Sequence, residues 1–439
     1  MTIITFLGLI GGYIKEDQAV INENYKGASY TLEPQLRESL DKHIENIFYP
    51  NMLGMLIDQF FDKKIIAIGT KESIAVQKKV MEKFGYTEHF PIDQNCIVLE
   101  QNDDFNEIFR QLDTIMEQED EVIVDISHGF RHIPILMTIQ MIVENIQNPK
   151  KIKHILFAKE EQKDKSYTII DLQGYMDLSA IAYAFASFEQ NYTIANHIKV
   201  RNPNYKELLH MLQQLSEHIL SNSFKVLFKE ENGKRPLIVR IEKLLDILIE
   251  HPVSKLLERN LRSLKNHMLK LQKISSYDQD MLYYHFAYIL FQKGYLLNAA
   301  TILNEAVALY CLEGIRQLDN EFKEKIEEFE RKIDEKKEHD PVYNNYNLAT
   351  QAKSIIKFLT KNKKPFLNDE ELSKKICTKL ENKNLYKLKD LIYNCDILRN
   401  DIAHGNTQVY RENIKIEIQK LFDKYRSICI ENDPLKRFI

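Results

Sequence analysis

The chain has 439 residues, 44% of them apolar and 28% charged, with a net charge of −4. That is enough to bury the cores of two or three domains, and it gives no overall basic footprint for stable binding to duplex DNA. Glycine (13) and proline (11) are scarce, the five cysteines are scattered without a Cys-x-x-Cys, and no apolar run has the length of a membrane span. These features point to a helix-rich cytoplasmic protein with no disulfide framework, no metal site and no membrane anchor.

The first 175 residues alternate short apolar runs with helical patterns. Thr2–Leu9, Lys64–Gly69, Cys96–Glu100, Glu121–Ile126 and Ile152–Ala158 are near-continuously apolar, as buried parallel strands are. Pro34–Phe48, Lys71–Phe84, Asp104–Glu117 and His132–Ile146 carry helical periodicity between them. The alternation predicts an α/β Rossmann-like domain with a doubly wound, mostly parallel sheet over 1–175, and Tyr167–Leu172 as an antiparallel edge.

Ligands of such sheets bind beyond the carboxyl ends of the strands, so the residues that follow each strand are the candidates. They are Gly8, Leu9, Ile10 and Gly11 after the first strand, Gly69 and Thr70 after the second, and Ser127, His128, Gly129 and Arg131 after the fourth. Glycines let backbone amides approach a ligand, and Thr, Ser, His and Arg side chains donate to phosphate or base. The spacing matches neither a P-loop nor the dinucleotide fingerprint, and Ser127 lacks the preceding glycine of a nucleophile elbow.

From residue 176 the strand signal stops and an all-α half begins. Leu178–Glu189, Tyr205–Leu220, Leu237–Ile249 and Ser254–Leu271 read as helices of a connector over 176–275. Met281–Gln292 and Asn298–Leu312 form a helical hairpin around Gly294-Tyr295, opening a bundle over 276–439. The alternating Glu and Lys of 318–339 predict an exposed helix or protruding hairpin. Leu348–Leu359, Asp369–Leu380, Leu385–His404 and Arg411–Cys429 complete the bundle. Residues 353–439 hold 15 Lys and 4 Arg against 6 Asp and 6 Glu, so this region is basic in a chain that is acidic overall.

In that basic region Arg399, Asn400 and His404 close an amphipathic helix ending at Gly405. Asn400 and His404 are one turn apart on one face, and Arg399 lies beside them. An imidazole moves protons near neutral pH, a guanidinium stabilises charge on phosphate, and an amide orients either. Arg262 and His267 share the same five-residue spacing but stand in a Lys/Arg-rich run, so spacing alone does not choose between the two pairs.

Three of these signals resemble the CRISPR-associated ancillary ribonucleases, in which a Rossmann-like CARF sensor domain precedes a helical HEPN nuclease domain. Val124-Asp125-Ile126-Ser127-His128-Gly129-Phe130-Arg131 is similar to the signature after the sensor's fourth strand. The hairpin through Gly294-Tyr295 and Ala299-Ala300 looks like the opening of the nuclease domain, and Arg399-Asn400 with His404 like its catalytic motif. The resemblance implies a homodimeric, metal-independent endoribonuclease of single-stranded RNA that needs no cofactor and is switched on by cyclic oligoadenylate in type III CRISPR defence. The first-strand loop, Gly8-Leu9-Ile10-Gly11, departs from the expected Gly-Thr-Gly and leaves the ring open between tetra- and hexa-adenylate. Two alternatives stand beside it: a ligand-sensing regulator that cuts nothing, and a sensor whose Ser127, His128 or Thr70 helps cleave its own activator.

Overall fold

A computed structural model describes residues 1–88, 90, 92–99, 105–129, 132–163, 165–223, 225–228, 230, 233–252, 254–336, 346–359, 365–405 and 413–435. The strands are β1 (Thr2–Phe6), β2 (Gly12–Lys15), β3 (Gln18–Ile21), β4 (Ala28–Leu32), β5 (Ile47–Tyr49), β6 (Lys64–Gly69), β7 (Cys96–Val98), β8 (Val122–Asp125), β9 (Ile152–Gln162) and β10 (Ser166–Asp171). The helices among them are α1 (Pro34–Leu40), α2 (Met52–Gln59), α3 (Lys71–Phe84), α4 (Ile92–Asn95), α5 (Phe105–Glu117) and α6 (His132–Gln147), and α7 (Gln173–Asn191) follows.

Eight strands form one sheet in the order β5-β4-β10-β9-β8-β1-β6-β7. The segment from β9 to β7 is parallel throughout, which explains why its strands are apolar on both faces. All five residues of β1 and all four of β8 are buried. Alternation sorts them: Ile3, Ile65 and Ile123 join a core with α2 and α3, while Ile4, Phe6, Ile68 and Val124 join a second core with α5 and α6. Within this parallel set the chain goes from β1 outward through β6 and β7, then returns to the other side of β1 with β8. The order therefore reverses at β1, the position beyond whose carboxyl end doubly wound sheets bind their ligands.

Two expectations need correction, and one element lies outside them. Tyr167–Leu172 does pair antiparallel with β9, but it is not an edge, because β4 and β5 extend the sheet beyond it. Pro34–Phe48 is not one helix: Asp41 ends α1 in the left-handed region (φ 51°), and Ile47 and Phe48 join the sheet instead. The β2–β3 hairpin went unseen, since its turn is made by Glu16 and Asp17 at positive φ and no glycine marks it.

The remaining helices are α8 (Pro203–Leu220), α9 (Lys225–Phe228), α10 (Leu237–Glu250), α11 (Lys255–Ser275), α12 (Gln279–Gln292), α13 (Leu296–Arg316), α14 (Asn320–Lys336), α15 (Tyr346–Phe358), α16 (Glu370–Glu381), α17 (Tyr386–Ala403) and α18 (Ile414–Tyr425). By internal contact the chain divides into two units: Met1–Phe188 with Thr193–His210 and Val253–Asn260, and Glu189–Tyr192 with Met211–Pro252 and Leu261–Ile439. In the second unit α12, α15 and α17 pack around α13, whose buried face includes Ala299, Ala300, Leu303, Ala306, Val307 and Tyr310. The charged run 318–339 is helical from Asn320 to Lys336 as α14, and it is amphipathic, not wholly exposed: Phe322 and Ile326 are buried. No helix among the described residues is long and apolar enough to cross a membrane.

Candidate functional site

The carboxyl ends of β1, β6 and β8 bring three of the sequence-predicted loops together. A Cβ on Gly8 would stand 3.1 Å from the backbone N of Gly129, so the loops after β1 and β8 approach to the limit that glycine permits. Gly129 itself holds φ +107°, and a Cβ there would meet Phe6 Cβ at 2.9 Å. A Cβ on Gly69 would meet Ser73 Oγ at 2.5 Å and Leu7 Cβ at 3.0 Å. Leu9 is exposed, Ile10 is half-buried, and Gly11 turns at φ +83° against the ring of Tyr25.

The polar candidates are anchored from within. Thr70 is buried and caps α3, its hydroxyl accepting from Ser73 N at 3.3 Å. The Ser127 hydroxyl donates to Asp125 at 2.5 Å and accepts from Ala158 N at 2.7 Å. Asp125 is fully buried and also receives Thr5 Oγ1 at 2.6 Å and Ser127 N at 2.9 Å. Burial pushes the Asp125 carboxyl up against the opposing His128 charge, and burial pushes the His128 imidazole down against the Asp125 charge. His128 edges against Tyr167, and its Nε2 is buried without a hydrogen-bond partner. Such an atom is a ready donor or acceptor for a ligand group. Arg131 lies outside the described residues.

Sequence reading missed the residue that shapes the β1 loop. Gln77 on α3 is buried and donates to the carbonyls of Gly8 at 2.7 Å and Ile10 at 3.0 Å, and Asn51 donates to its Oε1 at 2.5 Å. The signal was present: Gln77 falls at helical spacing among the buried Ser73, Val76, Val80 and Met81, where an amide needs partners.

The second predicted cluster ends α17. Leu388, Leu391, Ile392, Cys395 and Leu398 bury one face against the bundle, which leaves Asn400 and His404 exposed on the other. His404 is the C-cap, its N–H donating to Asn400 O at 2.9 Å, and Gly405 follows at φ +71°. Arg399 starts from a different azimuth, yet its Nη1 donates to Asn400 Oδ1 at 2.9 Å, so the guanidinium reaches the Asn400 side of the helix. All three side chains therefore share one end of the helix.

Behind them is a charged network absent from the sequence reading. Lys353 on α15 is buried and donates to Asn304 Oδ1 on α13 at 3.0 Å and to Asp396 on α17 at 2.7 Å. Lys357 donates to the other Asp396 oxygen at 2.6 Å. Burial lifts the Glu305 carboxyl above the usual range, with Lys353 and Arg399 pulling the other way. Burial also raises Asp396, but its two lysines outweigh that and hold it below the usual range.

The other Arg–His pair is resolved differently. His267 lies 2.5 Å from Tyr192 Oη, and burial, with Lys293 and Lys270 nearby, lowers its pKa to about 4. An imidazole so held is a packing residue of its unit.

No known protein-family description matches the chain. It is similar to the CRISPR-associated protein MJ1674 of Methanocaldococcus jannaschii, 23% identical over 274 residues. The match covers 50% of this chain and 42% of that protein, so the chain matches less than half of its relative's length.

Proposed function

We propose that the chain is an endoribonuclease of single-stranded RNA, activated by cyclic oligoadenylate and acting in CRISPR-based defence. The observation that carries the reading is the end of α17, where exposed Asn400 and His404 share a face and Arg399 bonds to Asn400. The similarity to a CRISPR-associated protein and the polar, glycine-bearing loops at the reversal of strand order support it.

In this reading a ribose 2′-hydroxyl attacks the adjacent phosphorus, breaking the bond to the 5′ oxygen. The products are a 2′,3′-cyclic phosphate and a 5′-hydroxyl. His404 moves the proton, Arg399 stabilises the phosphorane charge and Asn400 orients the guanidinium. The chemistry draws on proton transfer and charge and uses no metal. One His per chain cannot take the proton and return it at the same moment, so a second copy in a homodimer supplies the other. The activator sits over Gly8, Gly69, Thr70 and Ser127–Gly129, where His128 Nε2 has hydrogen-bonding capacity to spare.

The reading in which the sensor cleaves its activator is disfavoured for Ser127, because its hydroxyl is engaged by Asp125 and Ala158. Analysis of product ends tests the proposal. Cleavage should leave cyclic phosphate ends, persist in EDTA and vanish in Arg399→Ala and His404→Ala. Undiminished cleavage by His404→Ala would overturn it.

A further inference from the structure

A second feature of α17 is not used by the chemistry above. Tyr386, Tyr393 and Asn400 recur every seven residues, two turns, and so lie along one face, with His404 one turn further on. Tyr386 is 80% exposed and Tyr393 55% exposed, high values for large rings on a well-packed bundle. Beside them Phe358, at the end of α15, is also exposed. The Lys357 ammonium lies 5.5 Å from the Tyr393 ring centroid and 5.4 Å from that of Phe358, and Asp396 fixes it there.

We infer that Tyr393, Phe358 and Lys357 form a stacking subsite for a base of the single-stranded RNA substrate, with Tyr386 extending the track away from the cleavage residues. Single-strand binders pair aromatic faces, which accept any base, with cations that follow the backbone. Both are present here, and Tyr393 stands about 10 Å along the helix axis from Asn400, a distance set by seven residues of rise. Charge favours a polyanion as the occupant: Lys353, Lys357, Lys424 and Arg399 stand with Asp390 and Asp396 around this face, in a region, 353–439, that holds 15 Lys and 4 Arg against 6 Asp and 6 Glu. The subsite predicts cleavage tolerant of sequence at the stacked position, because every base offers a π-face.

The inference rests on the ribonuclease reading but is read out separately from it. Binding of a fluorescein-labelled single-stranded RNA is measured by anisotropy on the full chain carrying His404→Ala, so that the probe is not consumed. Adding Tyr393→Ala or Phe358→Ala should weaken binding at least fivefold, the low end of what one stacked base contributes. Tyr393→Phe should restore it, because the ring and not the hydroxyl carries the effect. Lys357→Ala should flatten the dependence of affinity on salt. Unchanged affinity in both alanine variants would overturn the subsite. So would a dimer that dissociates in Tyr393→Ala while affinity per chain holds, since the face would then belong to a second copy. If the unmutated chain binds RNA through these rings but never cuts it, the ribonuclease reading fails and the subsite stands.

Discussion

Lys353 on α15 donates to Asp396 on α17 across 2.7 Å, and Asp396 stands one helical turn before Asn400 on the same face. The pair ties the helix that carries Arg399, Asn400 and His404 to its neighbour, and through Asn304 to α13 as well. A half-buried carboxylate holding two lysines is costly to remove, because the ammonium groups it leaves behind are desolvated and unpaired. Asp396→Asn should therefore destabilise the helical unit by about 3 kcal/mol. Lys353→Met, which leaves Asp396 with Lys357, should cost about half as much. Urea unfolding followed by circular dichroism checks the order, and equal costs would contradict it.

His267 supplies a pH prediction. Its folded pKa, about 4, lies below the ordinary 6.5, so the unfolded chain binds the proton more tightly than the folded one. Stability is thus unaffected well above pH 6.5 and declines as pH falls from 6.5 toward 4, by about 3 kcal/mol across the window. Thermal unfolding at pH 7 and pH 4.5 should show a smaller drop in His267→Gln than in the unmutated chain. RNA cleavage at neutral pH should survive Arg262→Ala and His267→Ala, provided both variants are folded.

Gln77 holds the loop after β1 by two carbonyls, Gly8 and Ile10. Gln77→Leu would free both and leave Asn51 without its acceptor. The half-activating concentration of cyclic oligoadenylate should rise at least tenfold while maximal cleavage at saturation stays near normal, because the lesion acts on binding. A fall in maximal rate at unchanged half-activating concentration would count against these loops as the sensor site.

Thr70→Ala should likewise demand at least ten times more activator. It removes the cap of α3 as well, so a loss of about 1 kcal/mol in stability is expected with it. A dose response run well below the melting temperature separates the two effects.

The parallel sheet was legible because its strands are buried on both faces and appear as unbroken apolar runs, and α17 because Leu388, Leu391, Ile392, Cys395 and Leu398 keep helical spacing. What escaped was decided by tertiary partners. Ile47 and Phe48 fit the helical pattern that begins at Pro34, yet pairing with Ser29 and Tyr30 draws them into the sheet. Lys353 looks like any lysine on an amphipathic helix until Asn304 and Asp396 close on it from two other helices. The two Arg–His pairs could not be separated by spacing; burial separates them, since His267 meets Tyr192 while His404 faces solvent.

In the proposed function cyclic oligoadenylate switches on RNA cleavage at His404. The most direct measurement of this switch is the cleavage rate of a fluorescent single-stranded RNA by the full chain with no activator, with cyclic tetra-adenylate and with cyclic hexa-adenylate, each beside His404→Ala. One ring should accelerate the unmutated chain by at least tenfold and leave His404→Ala inactive. Cleavage equally fast without any ring, or equally accelerated in His404→Ala, would contradict it.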